Sequence, residues 1–298
     1  MNTESRHDNY LRGALLIMLS AFCFACMNVC VRLAGDIPSV QKSFFRNLVA
    51  AAFAGAVIIK NHVPLRVEKE ARLSLAMRCI AGTAGILCNF YAVDHLLVAD
   101  ASILNKLSPF FAVLFSYFLL KEKISPFQAA CVAAAFCGCL FIVKPGFHNT
   151  AMMPALIGVC GGLGAGFAYT MVRKLGTMGV KGPLIVFYFS LFSCLIVVPW
   201  IALHAVAMSG RQTAVLLLAG LCAAGGQFSI TAAYTYAPAK KISIYDYSQI
   251  LFAAVLGFVL FDEVPDAFSF FGYALVIAAS FVMFLYNRSR EKQAQAKS

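Results

Sequence analysis

Charge is scarce in this chain. Asp, Glu, Lys and Arg make up 12% of 298 residues, where a soluble globular protein carries roughly 25%. Hydrophobic residues fill 61% of it and the mean hydropathy is +0.81. A soluble domain of this length leaves about a quarter of its unfolded-chain surface in water, and this composition has too few polar groups to cover it. Soluble enzymes and nucleic-acid-binding domains are therefore excluded, although a net charge of +11 would suggest nucleic acid in a soluble protein. No GxxxxGK[ST] phosphate loop occurs and the connecting segments are too short for an ATPase domain, so nucleotide hydrolysis is not expected. Metal-ligand and disulfide patterns are missing as well. All eleven cysteines lie in apolar stretches, where the thiol behaves as a small hydrophobe. Cys23-x-x-Cys26 has no His or acidic neighbour and reads as packing. No cofactor is expected.

What remains is apolar runs of a particular length. A helix needs about 20 mainly apolar residues to cross the hydrocarbon core. Ten segments fit: 13–34, 41–59, 73–93, 100–120, 126–143, 152–172, 183–204, 213–235, 242–261 and 267–286. Arg6 and Arg12 before the first run resemble a signal-peptide n-region, but the run is too long and nine more follow, so it reads as an uncleaved helix. With the N-terminus in the cytoplasm, only Arg32, Lys42, Lys144 and Arg211 fall on the outer side, while Arg46, Arg78 and Lys106 lie within spans and the other basic residues face inward. This bias sets the expected orientation, with both termini cytoplasmic. Asp94, Asp100, Asp262, Glu263 and Asp266 gather outside.

An offset of 141 residues aligns the two halves without a gap. Arg32 meets Arg173, Ala92 meets Ala233, and Ser102 and Ile103 meet Ser243 and Ile244. Phe111 and Ala112 meet Phe252 and Ala253, Glu122 meets Glu263, and Phe127 meets Phe268. Five spans per half is an odd number, so the second copy enters the membrane the other way up. The expected fold is an all-α membrane protein of ten transmembrane helices in two inverted five-helix repeats. Its parts are a cytoplasmic tail (1–12), the first repeat (13–143), an outer linker (144–151), the second repeat (152–286) and a second cytoplasmic tail (287–298). Inverted repeats are an architecture of secondary transporters, with the solute site near the midplane between the halves.

The stretch ADASILNKLSPFFAVLFSYFLLKEKISPFQ, from Ala99 to Gln128, resembles the fourth and fifth helices of the drug/metabolite transporter superfamily, in particular its EamA-type ten-helix members. KISIYDYSQILFAAVLGFVLFDEVPDAFSFFGYAL is similar to the matching part of their second half. FFRNL around Arg46 resembles the family's second-helix arginine, and MNVCVR around Arg32 the end of its first helix. The glutamate-bearing turns at Glu122 and Glu263 stand at family positions. LLKE before Glu122 departs from the glycine-containing form common there, and Asp246 departs in the ninth helix. The resemblance implies a solute carrier, with efflux of amino acids, related metabolites or drugs favoured. It also implies that the first, third, sixth and eighth helices line a cavity, which makes Asn28, Asn89, Tyr169, Gln227, Ser229 and Tyr234 candidate solute contacts. Polar residues at such positions equally join helices to one another.

Placing an ionisable side chain at the bilayer centre costs about 2.5–3.5 kcal/mol or more, so the residues that do so should face the bundle interior. Asn105 and Lys106 lie in the fourth span, and Asp246 and Tyr247 occupy the repeat-related places in the ninth. Asn105 and Asp246 are expected at opposite ends of a central cavity, with Lys106, Tyr245, Tyr247 and Gln249 nearby. Lys106 and Asp246 either hold the two ends of a zwitterion or neutralise each other, as a gate or a structural pair. Pro109 reads as a kink or hinge, Arg46 as a gate or anion contact, and Arg78 as an interfacial anchor. Gly158, Gly162 and Gly166, four residues apart on the sixth helix, read as a smooth packing or sliding face. His95 beside Asp94 is the nearest approach to acid–base machinery and reads as a solvated turn.

The sequence thus points to a secondary transporter of a small organic solute, an amino acid or related metabolite, working by alternating access in a bacterial-type inner membrane. A channel or solute sensor is the alternative class. The expected partners are the solute and the lipid bilayer, with no nucleic acid, and the protein is expected as a monomer or homodimer.

Overall fold

A computed structural model describes residues 3–120, 124–144, 151–236 and 243–295. Every element among them is helical. In order they are α1 (Thr3–Leu33), α2 (Ser39–Lys60), α3 (Lys69–His95), α4 (Val98–Asn105), α5 (Ser108–Leu120), α6 (Pro126–Val143), α7 (Met152–Thr177), α8 (Gly182–His204), α9 (Gly210–Tyr236), a 3-10 turn (Ser243–Tyr247), α10 (Ser248–Phe261) and α11 (Ala267–Gln295). Among the described residues, nine helical stretches are long and apolar enough to cross a membrane, and Tyr245–Phe261 forms a shorter apolar one. The protein is a multi-pass membrane protein. Leu195, Ile196, Leu203, Val255 and Phe258 are exposed on its outside, as side chains facing lipid should be.

Local chemistry explains the boundaries. Ser125 and Gln128 form a reciprocal capping box at the start of α6, with Pro126 in its first turn. Gly179 takes a positive φ of 78° in the tight link from α7 to α8, a conformation that suits a residue without Cβ. The expected fourth span is not one helix. Pro109 has no amide proton to give the carbonyl of Asn105, and its ring crowds that carbonyl, so the chain breaks between α4 and α5. The amide of Leu107 turns instead to the Leu104 carbonyl at 3.2 Å. The ninth span is interrupted too, beginning as the 3-10 turn before continuing as α10.

The most extensive helix packing pairs α1 with α9 and α3 with α7; α2 with α8 and α6 with α11 follow. Glycines let α3 and α7 cross with their backbones close: a Cβ on Gly164 would lie 2.9 Å from the Ala81 carbonyl oxygen. The largest apolar cluster joins α1, α3 to α7 and α9 to α11 around residues such as Val31, Phe90, Leu104, Phe110, Ala135, Ala155, Ile250 and Val276. It holds the two interrupted spans at the centre of the bundle.

Candidate functional site

The break between α4 and α5 and the 3-10 turn before α10 meet. Lys106, on the first break, places Nζ 2.5 Å from Oδ2 of Asp246 in the second. The hydroxyl of Tyr247 donates to the Lys106 carbonyl at 3.3 Å. Position 247 is the repeat equivalent of position 106, so each interrupted span touches the other at its own counterpart. Asp246 Oδ1 and the Ser248 hydroxyl have no hydrogen-bond partner, which leaves acceptor and donor capacity beside the ion pair.

This contact borders a cavity of about 960 Å³. Its lining runs from the middle of the spans, at Phe24, Ala50, Asn105 and Ala224, to the ends on the side of the chain termini, at Val57, Gly182, Pro183 and Phe284. Lys106, Pro109, Tyr169, Gln227, Asp246 and Tyr247 also line it. Asn105 and Asp246 both line this space, and Lys106, next to Asn105 in the chain, reaches across to the aspartate.

The glycine face of α7 receives the broken helix. A Cβ on Gly162 would stand 2.6 Å from the Leu104 carbonyl oxygen, and one on Gly166 2.6 Å from Phe111 Cβ and 2.7 Å from the Ser108 carbonyl oxygen. Gly158 packs against Leu104 and Ala92. Gly166→Leu should push α5 off α7 and cost about 1–3 kcal/mol of stability by overpacking. A fall in the melting temperature of the purified protein measures it, and an unchanged value would mean that α5 has room to shift.

Several candidates lie outside the cavity. Asn28 is buried and donates to Ser102 at 3.2 Å, joining α1 to α4. Asn89 is buried in α3 where it meets Gly161 of α7, and Gln249 is buried in α10. Tyr245 packs with Ala14, Ile17 and Ala233, because the 3-10 turn aims it at α1 and α9 rather than at the Lys106 pair. The side chain of Tyr234 and residue Glu122 fall outside the described residues.

Arg78 departs from the interfacial anchoring that its position suggested, and Arg46 stands beside the same aromatic ring. Arg78 lines the cavity, with Cζ 4.1 Å from the Phe189 ring centroid; Arg46 approaches the same ring at 5.9 Å. Anchoring fails for Arg78 because its side chain runs along α3 over Gly82, whose missing Cβ leaves room for the guanidinium.

The far side of the bundle is tied shut by polar contacts. Arg32 pairs with Glu263 at 3.0 Å and donates to the carbonyls of Val93 and Leu96, each at 2.7 Å. The second oxygen of Glu263 accepts from the Val98 amide at 2.7 Å, at the start of α4. Lys42, 1% exposed, pairs with Asp94, and Tyr273 donates to Asp100. Asp94 is thus engaged rather than solvated, since Ser39 donates to it as well, and His95 stacks on Tyr91. Burial pushes the Glu263 carboxyl above the usual range, whereas the hydrogen bond from Lys144 holds Asp266 below it. Arg32 and Glu263, each matched to a like residue of the other half, Arg173 and Glu122, carried a sequence signal for this contact, because two anchors of the same alignment bore opposite charges. Phe189 and Lys42 carried none.

The model of the EamA-like transporter family matches residues 11–144 and again 152–285. The pseudopaline exporter of Pseudomonas aeruginosa is 31% identical over 277 residues, covering 90% of this chain and 94% of that protein. Human solute carrier family 35 member G1 is 26% identical over 283 residues, 90% of this chain and 77% of its own length. The riboflavin transporter of Rhizobium johnstonii is 26% identical over 296 residues, covering 94% of this chain and 93% of that protein. A crystal structure at 16% identity superposes with a TM-score of 0.68 over 94% of this chain and 98% of its own, a likeness of fold.

Proposed function

Because the chain belongs to the EamA-like transporter family and is a small-solute transporter rather than an enzyme, we propose that it carries an amino acid or related metabolite out of the cell by alternating access. The carrying observation is the cavity at the two broken spans, whose described lining reaches the span ends on the side of the termini, while the Arg32–Glu263 pair ties the helices on the other. A solute held beside Lys106 and Asp246 would have access from one side only. The inner-membrane placement and cytoplasmic termini rest on the distribution of basic residues. Outward transport is favoured by the name of the pseudopaline exporter.

The inverted repeat supplies the moving parts. Exchanging the halves turns the α1–α9 pair into the α7–α3 pair and returns α2–α8 and α6–α11 to themselves, as a two-fold axis in the membrane plane requires. The family model also matches twice at the 141-residue offset. Rocking of one half against the other would open the far side and close the near one. Half-helix ends at the Lys106 and Asp246 breaks leave backbone groups available to a solute where the site should be.

Counterflow in proteoliposomes tests this. Unlabelled amino acids, amines or nucleobases are loaded inside and labelled solute is followed from outside, with Asp246→Asn in parallel. Saturable exchange of a zwitterion, lost in the variant, is the expected result. Exchange that survives Asp246→Asn retires the site assignment. Ionic current without solute exchange would establish a channel instead.

A further inference from the structure

Among the described residues, no carboxylate pairs with Arg46 or Arg78, which stand together as two cations. They flank one ring, that of Phe189, at 5.9 and 4.1 Å. Arg46 spends one bond on its neighbour Asn47, at 2.6 Å, and its Nε has no partner. In Arg78 both Nε and Nη1 are buried and unpartnered. Among the described residues lining the cavity Asp246 is the single carboxylate, and Lys106 holds it. The wall is therefore positive where Arg78 stands.

Unpaired cations within a bundle are costly, and buried donors left unbonded add to the cost. Simple snorkelling does not account for them, because Arg78 turns along α3 into the interior. Gly82 provides the place: a Cβ there would collide with Arg78 Nη1 and come within 2.8 Å of Phe189 Cε2. The ring lies against the guanidinium, whose Nε and Nη1 stay unbonded. A guanidinium fork of this kind matches the two oxygens of a carboxylate or phosphate.

We propose that Arg78, with Arg46 behind it, is an oxyanion subsite of the cavity, so that the solute carries a carboxylate or phosphate group. The proposal rests on the transport reading and deepens it: the anionic end of the solute lies at Arg78, and the rest extends toward Lys106 and Asp246. Arg78 makes the direct contact; Arg46 adds charge through space.

The test is thermal unfolding of the purified full chain in detergent with millimolar acetate, succinate, citrate or inorganic phosphate, against chloride at matched ionic strength and against succinamide. At least one oxyanion should stabilise the protein saturably where chloride and succinamide do not. Arg78→Gln should weaken that binding roughly tenfold to a hundredfold, the worth of one or two charged hydrogen bonds. Gly82→Ala should weaken it by displacing the guanidinium, and the exposed control Arg66→Gln should leave it intact. A carboxylate preference and a phosphate preference separate the two solute kinds.

Stabilisation by none of the four anions in the wild-type protein overturns the proposal without recourse to any variant. Stabilisation lost equally in Arg66→Gln overturns it as nonspecific screening. Counterflow on the same preparations separates the two readings. Zwitterion exchange indifferent to these anions and to Arg78→Gln removes the subsite and leaves transport standing. Anion binding through Arg78 without exchange of any solute keeps the subsite and removes the transport reading.

Discussion

Lys106→Met is expected to abolish counterflow and to lower the stability of the purified protein by about 2–4 kcal/mol, toward the lower part of what breaking a buried ion pair costs because the cavity partly solvates it. The side chains of Lys106 and Asp246 are 8% and 21% exposed, so the stranded carboxylate keeps some water. Adding Asp246→Asn to Lys106→Met should recover most of the lost stability, since no charge is then left unpaired. Function separates the two roles that the pair can play. If the charges only neutralise one another to hold the breaks together, the neutral double variant transports. If they contact the solute through their charges, the double variant is stable and inactive. The solute reading expects the second outcome, measured by counterflow beside melting temperature, and a stable, active double variant would sink it.

The other large effect concerns the far-side lock. Glu263→Ala should loosen the start of α4, because it strands the Val98 amide and removes the partner of Arg32. A lost charged hydrogen bond of about 1.5–3 kcal/mol corresponds to roughly tenfold to a hundredfold faster local opening. Hydrogen-exchange mass spectrometry of peptides covering 93–105 reads this directly. Glu263→Gln keeps an acceptor for Val98 while giving up the charge, and should fall between the wild type and the alanine variant. Exchange unchanged in Glu263→Ala would mean that the remaining far-side contacts, such as Lys42–Asp94, hold the closure alone.

Transmembrane character was written in the sequence by run length, because a lipid core demands unbroken apolar stretches and leaves little freedom about where they lie. The break at Pro109 was also legible, since a missing amide proton has one local consequence whatever the surrounding fold. The direction of side chains around the second break was not. No proline marks it within the turn, and a 3-10 path rotates successive residues by more than an α-helix does. Tyr245 and Tyr247, alike in sequence context, therefore part company, one toward α1 and the other onto Lys106. The convergence of Arg46 and Arg78 depends on Phe189, more than a hundred residues downstream on α8, and such tertiary proximity has no periodic signature. Long-range pairs such as Lys42 with Asp94 were hidden for the same reason: a charge near a span end looks alike whether it reaches water or a partner.

Two identical halves could not make the central contact once only. If the halves are related as inverted repeats, a residue touching its own counterpart, as Lys106 touches Tyr247, sits on the symmetry axis, and in a symmetric pair of separate subunits the same side chain would face itself there. Two lysines would repel, and two Asn105-type amides would offer no charge. Identical halves carrying both a lysine and an aspartate at these places would make the ion pair twice; a single Lys106–Asp246 pair, with Asn105 and Tyr247 at the two other places, needs halves whose sequences differ, and one chain containing both can fix that difference in each molecule. Fusion of the halves thus permits a polar axis: a solute bound there meets unlike chemistry on its two sides and can be held in a single orientation, something no homodimer of either half could impose.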